Sequence, residues 1–201
     1  MTSAVRAPSF KSPHLLDAAI AFCGLLSGFL TPLIPNYIDS LYQPRGFSGG
    51  NGIVLAIGGL PFALLIVVIA RIAADVSWLR AAALGIATMV ATSVSITVSA
   101  NTNAALGSIA EPTRELIGGP VGGVIGSGMV ALAGSLLRIG PRHPARWWML
   151  VLVGTVLGAL LAVDVWLDSE NVWVLFPVWQ ASIALIFFRT LRNARAIASA
   201  P

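Results

Sequence analysis

Thr88, Thr92, Ser95 and Ser99 follow one another at steps of four, three and four. On a helix that spacing puts four hydroxyls on one face. Such a stripe can serve in two ways. Each hydroxyl can donate to the carbonyl four residues back or to a neighbouring helix. Alternatively the stripe can line a wet cavity. Ser93 and Thr97 flank it, and Asn101 and Asn103 follow at its far end. One carboxylate stands beside an apolar segment where it could act as a functional acid, Asp164. Its plainer role is to be a solvated helix end.

Other chemistry is hard to find. His14 and His143 both lie outside the apolar segments, so no histidine is placed to act as a base or metal ligand within them. There is no HExxH pair, no pair of carboxylates on one apolar segment and no glycine–lysine phosphate loop. Gly126-Ser127-Gly128 lacks the leading glycine of a nucleophile elbow. Cys23 stands alone in an apolar run and follows Phe22, where a lipoprotein acceptor needs a small residue. No catalytic residue, cofactor site or metal site is therefore expected, and an enzymatic role is disfavoured.

The elements that must carry the stripe are set by hydrophobicity. Of 201 residues 57% are hydrophobic and only 10% charged, with a mean hydropathy of +0.87. A water-soluble domain carries about a quarter charged residues, so lipid must cover this surface. Six stretches reach the roughly 20 apolar residues that cross a bilayer: 15–35, 53–73, 81–100, 117–137, 147–166 and 172–188. The expected fold is all-α, a polytopic membrane helix bundle forming one integral membrane domain over 1–201. The first stretch has no small-x-small cleavage site after it and reads as a retained helix, not a signal peptide. Pro32 and Pro35 are expected to end it.

Charge sets the orientation. With the N-terminus inside, the inner segments hold Arg6, Lys11, Arg71, Arg80, Arg138, Arg142, Arg146, Arg189, Arg192 and Arg195. That is ten of the twelve basic residues, leaving Arg45 and Arg114 outside. Six spans with both termini in the cytoplasm follow. Trp78, Trp147, Trp148, Trp166 and Trp173 fall at the interfaces, where indoles anchor helix ends. Lys11 is the only lysine; that arginine bias suggests a GC-rich bacterial genome, hence the bacterial inner membrane. Scattered basic groups at helix ends are no nucleic-acid footprint. Between spans, residues 36–52 hold a glycine-rich string, and Ser108, Glu111 and Pro112 suggest a short interfacial helix.

The fourth span is lined by small residues. Gly118, Gly122 and Gly126 form one strip, and Gly119, Gly123 and Ser127 another beside it. Smooth strips permit close helix packing, or a helix that slides or lines a pathway. Pro61, Pro120 and Pro177 lie in the outer halves of the second, fourth and sixth spans, two of them preceded by Gly58-Gly59 and Gly118-Gly119. Proline removes a backbone donor, and freed carbonyls in lipid need partners. These residues are the candidate packing or hinge positions.

Two functions suit the pattern. One is a small transporter, permease or channel with an outward-facing polar vestibule, its lining drawn from Thr88, Thr92, Ser95, Ser99 and Asp164. Acids at the outer loops and ends would favour cations or neutral solutes over anions there. The other is a non-catalytic subunit or assembly factor of a larger membrane complex, suited by the small-residue faces. The expected partners are the bilayer and either further copies of the chain or other membrane subunits. Substrate, direction and coupling ion are not encoded in any visible motif.

Overall fold

The computed structural model describes residues 13–42, 52–141, 144–169 and 172–198. The glycine-rich string at 48–51, together with Arg6, Lys11, Arg45, Arg142 and His143, lies outside them. All regular structure among the described residues is helical: α1 (Pro13–Tyr42), α2 (Gly52–Gly58), α3 (Leu60–Ala74), α4 (Trp78–Ala105), α5 (Glu115–Leu136), α6 (Trp148–Gly158), α7 (Leu160–Trp166) and α8 (Leu175–Ala198), with a 3₁₀ turn over Pro144–Trp147.

Four helical stretches are long and apolar enough to cross a membrane: His14–Tyr37 of α1, α4, α5, and α6 with α7 over Trp148–Trp166. The apolar α3 is shorter by itself. It continues the line of α2, because Ala63 N–H donates to the Gly59 carbonyl and Gly59 N–H to that of Ala56. The last turns of α8 carry Arg189, Arg192 and Arg195.

The rods close into a ring. α1 packs on α2, α3 and α8; α3 on α4; α4 on α5; α5 on α6 and α7; and α6 on α8. α3 also meets α8. The ring is apolar on its outside as well as its inside. Phe22, Leu26, Leu64, Val68, Ile86, Val90, Val124, Leu132, Leu152 and Val156 are all exposed on its outer surface. A water-soluble bundle puts charge there; this one presents a surface fit for acyl chains.

Alternating rods bring Arg71, Arg80, Arg138, Arg146, Arg189, Arg192 and Arg195 to one end. That end is tied electrostatically. Arg189 bonds Asp17 at 2.9 Å and Arg192 lies 3.5 Å from it, joining the start of α1 to the end of α8. Arg71 donates to the Val76 carbonyl and stacks over Trp78 at 4.7 Å, fixing the turn between α3 and α4. The bundle is solid here. Ile66, Ile69, Leu84, Ile139, Leu150, Ile183, Phe187 and Leu191 are almost wholly buried against one another.

Several boundaries depart from the sequence expectation. Pro32 and Pro35 do not end α1, which continues to Tyr42. A Cβ on Gly58 would sit 2.7 Å from the Pro35 ring, so the facing helix makes room for it. Interruptions fall at Gly59, two residues before Pro61, and at Ala159; none falls at Pro120 or Pro177. Pro61 opens α3 within its first positions. Pro177 is the third residue of α8, where an N–H would have no intrahelical acceptor in any case. Pro120 stands inside α5, which continues through it. Pro112 opens no helix; Thr113 N–H donates to the Ala110 carbonyl in a turn, and α5 starts at Glu115. Trp147 is no interfacial anchor. It is 2% exposed and stacks on Phe187 at 5.6 Å, because Gly134 and Gly140 leave space for its indole.

Candidate functional site: an axial cavity with a hydroxyl wall

At the end opposite the arginines the ring does not fill its own centre. A cavity of about 400 Å³ lies there, walled by every rod of the ring. Its size falls within the range of small-molecule sites. The α4 wall is the hydroxyl stripe: Thr88, Thr92, Ser95 and Ser99 all line it, with Asn103 beyond them. Thr92 to Ser99 is seven residues, about 10 Å of helix.

The four hydroxyls are not equivalent. Thr88 donates to the Leu84 carbonyl at 2.9 Å, and Thr92 to that of Thr88 at 3.0 Å. Both are thus satisfied within α4. Ser95 crosses to α5 and donates to the Gly122 carbonyl at 2.7 Å. Ser99 is only 9% exposed, and its Oγ finds no partner among the described residues; nor does Asn103 Oδ1. Polarity left unsatisfied therefore collects toward the shallow end of the stripe.

The glycine strips of α5 set the distance between the walls. A Cβ at Gly118 would lie 1.8 Å from Asn103 Oδ1, at Gly122 3.0 Å from Ser99 Cβ, and at Gly126 3.1 Å from Ser95 Oγ. This strip receives the polar side chains of α4. The neighbouring strip meets α6 backbone to backbone. At Gly119 a Cβ would stand 2.1 Å from the Gly158 carbonyl oxygen, and at Gly123 2.2 Å from that of Gly154. Gly59 does the same service in the second rod, where a Cβ would be 2.9 Å from the Thr92 side chain.

The deep end holds groups that spacing in the sequence does not single out. Gln180 is 1% exposed. Its Oε1 accepts from the Ser27 hydroxyl at 2.7 Å and its Nε2 donates to Thr31 Oγ1 at 2.7 Å. Thr31 in turn donates to the Ser27 carbonyl at 3.0 Å. Trp179 donates from Nε1 to the Gly154 carbonyl at 3.0 Å and meets Phe62 edge to face at 5.8 Å. Phe62, Trp179 and Gln180 line the cavity next to the solid core. Ser27 and Thr31 are a single i, i+4 pair on α1, and Gln180 stands apart on α8. The one available signal is that a glutamine in an apolar span needs partners.

Asp164 does not join the stripe and is absent from the cavity wall. It is 1% exposed, and its two oxygens accept from the backbone N–H groups of Val174 (2.9 Å) and Leu175 (2.8 Å). It therefore caps the start of α8 and is no solvated end either. Glu111 and Glu115 both bond Arg114. No charged side chain lines the cavity among the described residues. Among the described residues no cluster of three His, Cys, Asp or Glu side chains forms a metal centre.

Comparison with family models, curated proteins and solved structures finds no match.

Proposed function

We propose that this chain is a six-span protein of the bacterial inner membrane, both termini cytoplasmic, that acts as a small permease through an outward-facing vestibule. The carrying observation is the one-sided cavity: hydroxyl-lined at one end of the ring, backed by close-packed apolar side chains at the other. Two facts support the topology. The described basic residues other than Arg114 gather at the solid end, as the positive-inside rule asks of a cytoplasmic face. The ring's outer surface is apolar, so α2–α3 and α8 suit the membrane alongside the four long apolar stretches. In alternating-access carriers a site at mid-depth faces one side while packed helices close the other; a cavity floored by Phe62, Trp179 and Gln180 is the shape of such an outward-facing state.

The test is thiol accessibility. Cys23 is exposed and is replaced by Ser first. Single cysteines then go at Thr92, Ser95 and Ser99, with Val90 and Val94 as controls, since both are exposed on the bundle's outer surface. Intact cells are treated with a membrane-impermeant thiol reagent. Labelling is expected at Ser99 and Ser95, more slowly at Thr92, and at neither control. Should Ser95 and Ser99 prove as inert as Val90, the reading as a packing subunit of a larger complex replaces this one.

A further inference from the structure

We infer that the cavity binds one neutral molecule with a largely apolar body and a hydrogen-bond donor, and that it discriminates against ions. This deepens the vestibule reading and rests on it for the route of entry alone.

The walls supply the first half of the argument. Pro32, Leu55, Ile96, Leu161 and Phe176 line the cavity, and no Asp, Glu, Lys, Arg or His among the described residues does. An ion entering would lose hydration with no opposite charge to replace it. Asp164 and Glu115 are absent from the wall. Asp164 accepts from two backbone donors, and Glu115 pairs through Oε1 with Arg114 at 2.8 Å, while its Oε2 has no partner among the described residues.

The polar groups supply the second half. Ser99 Oγ and Asn103 Oδ1 lie one helical turn apart on α4, are buried, and have no protein partner among the described residues. Buried polar atoms in folded proteins are nearly always bonded to something. An amide oxygen is an acceptor only, and a serine hydroxyl can accept or donate. Both residues line the cavity, and with a turn of each side chain toward it an occupant carrying an O–H or N–H would satisfy both. The paired atoms are therefore read as the recognition element of a site, with the apolar walls taking the rest of the molecule. Alcohols, phenols and neutral amides fit this description.

The experiment uses benzyl alcohol as probe, with toluene, benzoate and benzylammonium as relatives of similar shape. Purified full-length protein in detergent micelles is titrated with each and read by saturation-transfer NMR. The comparison is with the Ser99→Ala/Asn103→Ala double variant. Partition into the micelle is common to both proteins, so only the difference reports the cavity. The unaltered protein is expected to show a saturable benzyl alcohol component whose apparent Kd rises about tenfold in the double variant, the size of effect that loss of one or two hydrogen bonds brings. Toluene is expected to bind both proteins equally and weakly, and the two ions neither. Circular dichroism of the double variant checks that it is folded. The single variants Ser99→Thr and Asn103→Gln, which keep the polar groups, are expected to retain binding within a few-fold. Equal binding of benzyl alcohol by all variants, no saturable component, or tighter binding of benzylammonium or benzoate would overturn the inference. Saturable, variant-sensitive binding together with inert cysteines at Ser95 and Ser99 would leave the inference standing and remove the outward vestibule. Reactive cysteines without such binding would do the reverse.

Discussion

Asp164 shows how far a residue's role depends on what the chain brings to it. In the sequence it is a lone acid at the end of an apolar stretch. In the fold it holds the first turn of α8 by bonding two backbone N–H groups ten and eleven residues on. Capping oxygens are worth about 0.5–2 kcal/mol, and removing the carboxylate here also leaves two part-buried donors without their partner. Asp164→Ala is accordingly expected to lower unfolding stability in detergent by about 2 kcal/mol, and Asp164→Asn by less, since one oxygen remains. Thiol labelling at Ser99→Cys is expected to persist in the Asn variant. A thermal or denaturant titration checks the first statement; unchanged stability in the Ala variant would contradict it. The stripe on α4 was legible because a four–three–four spacing has only one geometric meaning on a helix. Which of its hydroxyls are satisfied was not, since Ser95 is answered by a carbonyl 27 residues away. Gln180, Ser27 and Thr31 were invisible for a related reason. Ser27 and Thr31 stand one turn apart on α1, too short a pattern to single out, and only the meeting of α1 with α8 brings Gln180 to them.

Helix-scale features were legible in proportion to their periodicity. The two small-residue strips of α5 could be read as surfaces for close approach, but not which helix each one meets. The structure gives the strips unequal consequences. A Cβ at Gly123 would stand 2.2 Å from the Gly154 carbonyl oxygen, and backbone cannot step aside. At Gly126 the nearest atom would be Ser95 Oγ at 3.1 Å, and at Gly128 nothing lies within 4 Å. Alanine is the better helix former by up to about 1 kcal/mol, while forced overpacking costs about 1–3 kcal/mol. Gly123→Ala is therefore expected to destabilise most, Gly126→Ala little, and Gly128→Ala not at all or in the stabilising direction. Detergent melts of the three variants side by side supply the check, and an inverted order would refute the packing scheme. Prolines were the less reliable guide. Pro61 does coincide with a break, for the rod of α2 and α3 is interrupted at Gly59 just before it. Pro177 instead begins α8 in a first turn that needs no donor, and α5 runs through Pro120. The break at Ala159 follows Gly158, where a Cβ would stand 2.3 Å from the Gly119 carbonyl oxygen across the interface.

For the whole molecule the class was legible from composition alone, because 10% charge cannot cover a soluble body. Ring closure was not, for it depends on α1 finding α8 across the length of the chain. The topology of six spans with both ends inside is checked by reporters active only in the periplasm. Activity is expected for an insertion at 48–50 and silence for a fusion after Arg195; the opposite pair would overturn the arrangement. The central claim, that the cavity opens outward and is sealed inward, is tested most directly by sidedness. Ser95→Cys, in the Cys23→Ser background, is exposed to one impermeant thiol reagent in right-side-out and in inverted membrane vesicles. Modification in right-side-out vesicles alone is the expected result. Equal modification in both, or modification confined to the inverted preparation, would contradict it.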